Sequence, residues 1–145
     1  MIAAALLLAA AASSPPIDDD VAHAALVFLD AEGTHAYGTR CLRVDGQDPS
    51  PALADRLRAD LKDWVPGSAC SEVAMADRRV RVHTRDGAPA EYLSISGFEA
   101  NPDGSFSLGY EFWAGTFTGR GSTLRVEGRD GRWQVSRPGR YEWVE

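Results

Sequence analysis

Two stretches in the first half of the chain place apolar residues three or four positions apart, which is the spacing of an amphipathic helix. The first stretch follows three aspartates, Asp18 to Asp20, which supply an N-cap and favourable negative charge at the amino end of a helix. Gly33 provides a stop for this helix. Its apolar positions are Val21, Ala25, Phe28 and Leu29.

The second stretch begins with Ser50 as a capping residue and Pro51 in the first helical turn, where the missing N–H of proline costs nothing. A Pro-Gly pair at positions 66–67 predicts its end. The apolar stripe of this second predicted helix consists of Leu53, Leu57, Leu61 and Trp64.

Alternation of apolar and polar residues, the signal of a half-buried strand, replaces the helical spacing beyond Cys70. A strand is also predicted between the helices, over residues 37–44, and a last short strand over residues 141–144. Asp130-Gly131 lies between two alternating segments and predicts a tight hairpin. The alternating apolar positions are Val80, Val82, Leu93, Ile95, Phe106, Leu108, Tyr110, Phe112, Leu124, Val126, Trp133 and Val135.

This order of elements predicts an α+β fold, because helices come first and a meander of strands follows. The expected architecture has two N-terminal helices packed on one face of a curved antiparallel sheet of about five to six strands. The composition, 44% hydrophobic and 25% charged over 145 residues, is that of an ordinary globular domain. We expect a signal peptide over residues 1–12, a linker over residues 13–19 and a single domain over residues 20–145.

The first residues resemble a secretory signal. An apolar run of about eleven residues is followed by small residues, with an A-x-A cleavage site at positions 10–12. The run is too short for a transmembrane helix, which needs about 20 residues. No cysteine lies near the cleavage point, so a lipoprotein anchor is not expected. The sequence therefore predicts a periplasmic or secreted protein without a membrane anchor, although no Lys or Arg precedes the apolar run.

Cys41 and Cys70 are the only cysteines of the chain. In an oxidising compartment, an even pair is most simply explained by a disulfide bond. The alternatives are a metal pair or a redox pair, but the sequence contains no C-x-x-C and no histidine at ligand spacing. A structural disulfide is the prediction.

The formal charge of −6 argues against nucleic acid as a partner. No nucleophile elbow, zinc-binding helix, phosphate loop or complete dinucleotide fingerprint occurs, so we expect no catalytic residue, no cofactor and no enzyme activity. Residues 99–104 only superficially resemble a calcium loop and are expected to form a turn. Four residues near the end of the first helix are close enough in sequence for a metal site, but they lack a recognised ligand spacing, so we expect solvated side chains there: His23, Asp30, Glu32 and His35.

Strand parity places a second group of side chains on the face opposite the apolar one. Trp113 stands out, because a large aromatic residue among charges is typical of a binding surface. An exposed face with cross-strand ion pairs is the alternative interpretation. The candidate binding residues are Trp113, Arg81, His83, Tyr92, Glu111 and Arg125, and the same face includes Ser94, Glu127, Arg132 and Gln134.

Glu91 has the strand parity of Leu93 and Ile95, so its side chain points either toward the apolar face or into solvent at the open end of the strand. An inward carboxylate is costly unless it is paired. The solvated position is therefore the expected one.

Two parts of the chain carry a resemblance to known proteins. Cys41-Leu42, Asp48-Pro49-Ser50 and residues 65–70, together with Leu53 and Leu57, resemble a pattern in small uncharacterised exported bacterial proteins. Residues 130–135 resemble the closing strand pair of that group, and are also similar to the closing hairpin of nuclear-transport-factor-2-like and cystatin-like α+β domains. These segments cover about a third of the chain. The resemblance implies a helix-backed curved sheet and supplies no activity.

The functional hypothesis is a non-catalytic periplasmic or secreted binding domain of the inhibitor or immunity type. Its partner would be a protein of the envelope or a small polar ligand. The alternative is a small-molecule-binding or hydrolytic domain with a pocket between helix and sheet, in which Glu91 would be the carboxylate. A purely structural envelope protein remains a third interpretation.

Overall fold

The computed structural model describes residues 17–32, 38–139 and 143–144. Two α-helices are present in this part of the chain, α1 (Asp19–Glu32) and α2 (Pro51–Asp60). A backbone N–H of α1, that of Asp20, donates a 2.8 Å hydrogen bond to the Asp18 carboxylate. Ser50 caps α2 by accepting from the Leu53 N–H, with Pro51 in the first turn, as the sequence predicts. The predicted signal peptide and the predicted stop at Gly33 lie outside the described residues.

The fold is α+β, with a curled sheet whose six main strands run in the order β2-β1-β5-β6-β7-β8, while β9 pairs with β7. A separate two-stranded sheet contains β3 and β4. The strands are β1 (Thr39–Val44), β2 (Trp64–Pro66), β3 (Cys70–Ala74), β4 (Val80–Thr84), β5 (Ala90–Ala100), β6 (Phe106–Trp113), β7 (Gly119–Arg129), β8 (Arg132–Ser136) and β9 (Trp143–Val144). A short 3-10 turn, Gly67–Ala69, joins β2 to β3.

The prediction of a purely antiparallel sheet is wrong, because β1 runs parallel to both of its neighbours, β2 and β5. The chain leaves β1 through α2 and returns in the same direction in β2. Such a helical crossover produces parallel neighbours. From β5 onward the strands form the expected antiparallel meander, and Asp130-Gly131 makes the predicted tight turn, with φ values of 51° and 73°.

The sheet assignment of one strand and the end of one helix also differ from the predictions. The strand around Val80 and Val82 belongs to the β3–β4 sheet rather than to the large sheet. The second helix ends at Asp60 instead of continuing through Trp64. Leu61 adopts an extended backbone, with φ of −111° and ψ of 146°, which ends the helix. Asp63 then takes a left-handed conformation with φ of 55°, and Trp64 enters β2.

One large cluster of buried residues joins the apolar positions of both helices to those of the strands. Helix α1 contacts α2, β5, β7 and β8. Ile17, just before α1, is also part of this cluster. Its large aliphatic members that are no more than 1% exposed include Leu26, Leu29, Leu53, Leu57, Leu42, Leu93, Ile95, Leu108, Leu124 and Val126.

A helix that could cross a membrane would need a long apolar stretch, and none of the helices in the described residues has one.

Candidate binding site

A second, smaller cluster of buried residues holds the β3–β4 hairpin against the large sheet. It contains Cys41, Val82, Ala90 and Tyr92, with Val65, Cys70 and Trp113 partly buried beside them. The sulfur atoms of Cys41 and Cys70 are 1.99 Å apart, at bonding distance, and their Cα atoms are 6.2 Å apart. The predicted disulfide is therefore present in the structure and connects β1 to the first residue of β3.

Backbone hydrogen bonds fix the same hairpin to the loop after β6. The Val82 N–H donates to the Ala114 carbonyl at 3.1 Å, and the Thr116 N–H donates to the Val80 carbonyl at 3.0 Å. The Val80 N–H donates in turn to the Thr116 hydroxyl at 3.0 Å. Gly115 lies so close to this hairpin that an added Cβ would be 2.1 Å from the Val80 carbonyl oxygen. Only glycine fits at this contact.

A groove of about 480 Å³ lies beside the hairpin. Most of its lining residues are apolar, and Arg81 and His83 add half-buried polar side chains to it. Trp113 is not among its lining residues but belongs to the buried cluster directly beneath the hairpin. The residues that line the groove are Met75, Arg81, Val82, His83, Pro89, Ala90 and Ala114.

Tyr92 is the candidate residue whose environment differs most from the expected exposed face, since it is only 3% exposed. The Arg43 guanidinium lies 3.6 Å from the centre of its ring, and the Trp113 ring is nearly parallel to it, with centroids 6.3 Å apart. This stack supports the hairpin from below. Tyr92 is therefore buried and cannot serve as an open contact residue.

The six candidate residues do not share one sheet face. Arg81 and His83 lie on the separate β3–β4 sheet, so the expectation of a common face is wrong for these two. Glu111 is exposed on β6, two residues from Trp113. Arg125 pairs with Ser107, six residues along β6 from Trp113, which places it about 20 Å away at the rise of an extended strand. The groove therefore brings Arg81 and His83 together near Trp113 and leaves Arg125 at the other end.

A buried ionic group lies in the region of the large cluster. Arg40 is 2% exposed, and its Nη1 is 3.1 Å from Asp30 Oδ1 while its Nε is 3.4 Å from Glu91 Oε1. Its guanidinium is also 5.4 Å from the centre of the Phe112 ring. Glu91 is only 4% exposed, so the expectation of a solvated Glu91 is wrong and the inward orientation is confirmed. The pairing with Arg40 explains how the carboxylate is accommodated there.

The residues of α1 that could suggest a metal site bind other partners instead. His23 Nε2 is 2.7 Å from Asp60, Asp30 binds Arg40, and Glu32 binds Arg137. His35 lies outside the described residues. Asp30 and Asp60 also line a surface groove of about 340 Å³, together with Gly38, Lys62 and Asp63. Within the described ranges, no three metal-ligating side chains are grouped as they would be around an ion.

The carboxylates with clearly lowered pKa values accept hydrogen bonds in loops and turns. The Ser68 hydroxyl and backbone N–H lower the pKa of Asp48, and the Thr84 hydroxyl lowers that of Asp86. Hydrogen bonds from the Ser105 hydroxyl and N–H, with a further one from Arg125, lower the pKa of Asp103 to about 2. Asp103 belongs to the β5–β6 turn, so residues 99–104 contain the predicted turn.

Replacing Asp103 gives a pH-dependent effect. Asp103→Asn is expected to lower the melting temperature at neutral pH, because the charged carboxylate accepts these hydrogen bonds. The native pKa is depressed from 3.8 to about 2, so this contribution is complete above 3.8 and disappears as the pH falls through about 2. Thermal unfolding of both proteins across this range measures the difference, and a deficit that persists unchanged at pH 2 would contradict the assignment.

Phe117 was missed by the sequence reasoning. It is 67% exposed in the loop between β6 and β7, where the Arg79 guanidinium lies 5.6 Å from its ring centre. Its φ of 65° is in the left-handed region, which costs a bulky residue about 1–2 kcal/mol. The available signal was a large apolar side chain inside a short Gly-bounded turn, after the alternation of β6 had ended.

Similarity to known proteins gives no functional assignment for this chain, so its proposed function is based on the fold and the groove. The resemblances to exported bacterial proteins and to nuclear-transport-factor-2-like domains stay predictions. No protein-family model, curated protein or solved structure matches this chain.

Proposed function

We propose that this protein is a non-catalytic binding domain of the periplasm or the extracellular space, of the inhibitor or immunity type. It captures a protein partner at the groove lined by Arg81, Val82 and His83. The observation that carries the proposal is this groove, in which apolar residues such as Val82 adjoin the cationic Arg81 and the polar His83. Apolar lining with a few polar groups is the usual composition of a recognition site. The predicted signal peptide and the Cys41–Cys70 bond suit an oxidising compartment.

The layering of the fold supports this location of the site. We infer that the two helices cover one face of the large sheet, since their apolar residues share a cluster with those of β5, β6 and β7. The β3–β4 hairpin would then cover part of the other face, where Tyr92 and Trp113 form a separate cluster with it. A hairpin held by a disulfide and by backbone hydrogen bonds presents a rigid rim, which reduces the entropy lost on binding.

Capture experiments with the oxidised mature chain, residues 13–145, test the proposal. The immobilised protein is exposed to periplasmic and secreted extracts of the producing cell, and mass spectrometry identifies bound proteins and small molecules. We expect one stoichiometric protein partner, whose capture is lost in Arg81→Ala and His83→Ala. Both side chains are half-exposed, so the melting temperature should stay near that of the parent protein.

Arg125→Ala is the matched control for these variants. It removes a cationic side chain of the same type about 20 Å from Trp113 along the strands. We expect it to retain capture. Loss of capture in Arg125→Ala alone would instead indicate a binding site on the large sheet around Arg125. Retained capture in both groove variants would reject the proposal.

One observation favours the alternative function, a small-molecule or hydrolytic domain with a pocket between helix and sheet. Glu91 points inward, 3.4 Å from the buried Arg40. This alternative would be supported by a small polar molecule that the parent protein and Arg81→Ala both bind in the capture experiment, and that Glu91→Gln does not bind. Because Glu91 already holds Arg40 through Oε1, the groove remains the preferred site.

A further inference from the structure

We propose that Phe117 is the anchor side chain with which this protein enters an apolar pocket, rimmed by carboxylates, on its protein partner. The inference rests on the proposed function and names the contact that provides most of the affinity for the partner. Aromatic anchors of this kind contribute a large share of the binding energy at protein interfaces.

The backbone of Phe117 gives the first argument. It is the third residue of a four-residue turn that is closed by the Thr118 N–H donating to the Gly115 carbonyl at 3.1 Å. A positive φ at this position normally selects Gly or Asn, which tolerate the left-handed region. A strained, bulky residue at an exposed tip points to a role outside the fold.

Rigidity of the loop gives the second argument. The Ala114 N–H donates to the Thr118 carbonyl at 2.9 Å, and the Thr118 hydroxyl donates to the Gly115 carbonyl at 2.8 Å. The Thr116 bonds to Val80 then fasten the loop to the β3–β4 hairpin. Phe117 is therefore presented on a preformed support, as an inserting side chain requires.

The neighbouring side chains define the chemistry of the partner. Met75, 42% exposed, lines the groove and bonds through its backbone N–H to the carbonyl of Arg79, which contacts the Phe117 ring. Positions 75–86 contain four arginines against two aspartates, although the whole chain carries a net charge of −6. Charge complementarity therefore favours a pocket with an acidic rim.

A protein pocket fits these features better than a lipid surface. Only two large apolar side chains are exposed at this corner among the described residues, Met75 and Phe117. Stable membrane binding needs a larger buried apolar area or a dense polybasic segment. A side chain that inserts into a fluid lipid interface also does not need a turn of fixed geometry.

Site-specific photocrosslinking tests the inference in the full chain. Phe117 is replaced by p-benzoylphenylalanine, and Trp133 is replaced likewise as the control. Trp133 is also exposed, at 39%, but lies on β8 against Phe106. After irradiation in the producing cell, we expect one protein adduct from position 117 and none from position 133. Mass spectrometry of the crosslinked peptide should locate it at an apolar pocket bordered by Asp or Glu.

Affinity measurements with the purified partner complete the test. Phe117→Asn is expected to weaken binding by at least about 30-fold, as for an interface anchor, while Phe117→Tyr stays within about threefold. The melting temperature of Phe117→Asn should equal or exceed that of the parent protein, because asparagine tolerates the positive φ. This measurement separates loss of the anchor from loss of the fold.

Several results would overturn the inference. They are the absence of a specific adduct at position 117, unchanged affinity in Phe117→Asn, and a crosslinked site rimmed by Lys or Arg. Phe117-dependent flotation with phosphatidylglycerol vesicles, without a protein adduct, would assign the loop to lipid instead. A partner that depends on Arg81 and His83 but not on Phe117 rejects this inference alone and leaves the proposed function intact.

Discussion

Removing the Cys41–Cys70 bond, by Cys41→Ala together with Cys70→Ala, is expected to lower the free energy of unfolding by about 3–4 kcal/mol. The bond closes a loop between residues 29 apart in sequence, so its loss increases the entropy of the unfolded chain. It also removes the disulfide cross-link between the β3–β4 hairpin and β1 of the large sheet. Urea denaturation monitored by circular dichroism measures the change.

Reduction of the parent protein provides the matched control for this double variant. Dithiothreitol should lower its stability by a similar amount, and should leave the double variant unchanged because it has no disulfide to reduce. Amide hydrogen exchange should show the largest loss of protection in β3 and β4, because this bond cross-links their hairpin to β1. A decrease of less than about 1 kcal/mol in both tests would show that noncovalent contacts alone hold the hairpin.

Arg40→Met is expected to destabilise the fold by about 3–5 kcal/mol, which is the usual effect of removing one member of a buried ion pair. The change leaves Glu91, which is 4% exposed, without the guanidinium at 3.4 Å, and also removes the 3.1 Å contact to Asp30. Methionine retains much of the side-chain volume, so the effect reports mainly on charge. Thermal and urea unfolding measure it.

The double variant Arg40→Met with Glu91→Leu separates the charge effect from packing. Removing both charges should recover part of the lost stability, since an apolar pair avoids leaving a buried carboxylate uncompensated. Arg56→Met is the surface control. Its ion pair with Asp20 is exposed, so its removal should cost no more than about 1 kcal/mol. Equal losses in Arg40→Met and Arg56→Met would contradict the assigned role of the buried pair.

Local signals in the sequence were sufficient for the α+β class and for several element ends. The Ser50 cap with Pro51 and the Asp130-Gly131 turn depend on neighbouring residues only, and both are found as predicted. The disulfide pairing also followed from composition, because Cys41 had only one available partner.

Features that depend on long-range contacts were not predictable in the same way. Alternation indicates a strand but not its neighbour, so the parallel position of β1 and the separation of β3–β4 from the large sheet were missed. Parity allowed Glu91 to face the apolar side, but the solvated position was expected, because the sequence does not show its pairing with Arg40, 51 positions earlier. The Phe117 turn was missed for a related reason, since Thr116 fastens this loop to the hairpin through hydrogen bonds to Val80, 36 positions earlier.

The parallel pairing of β1 with β5 has a consequence for the order of folding. Its register joins Thr39 to Ala90, so about 50 residues must be closed into a loop before the first of these hydrogen bonds forms. The β5–β8 meander, by contrast, needs only short turns, and local contacts of this kind form faster. We therefore expect the carboxyl-terminal hairpins to form first, and the amino-terminal strand, although synthesised first, to be added late. Folding of this chain is accordingly expected to follow completion of its second half.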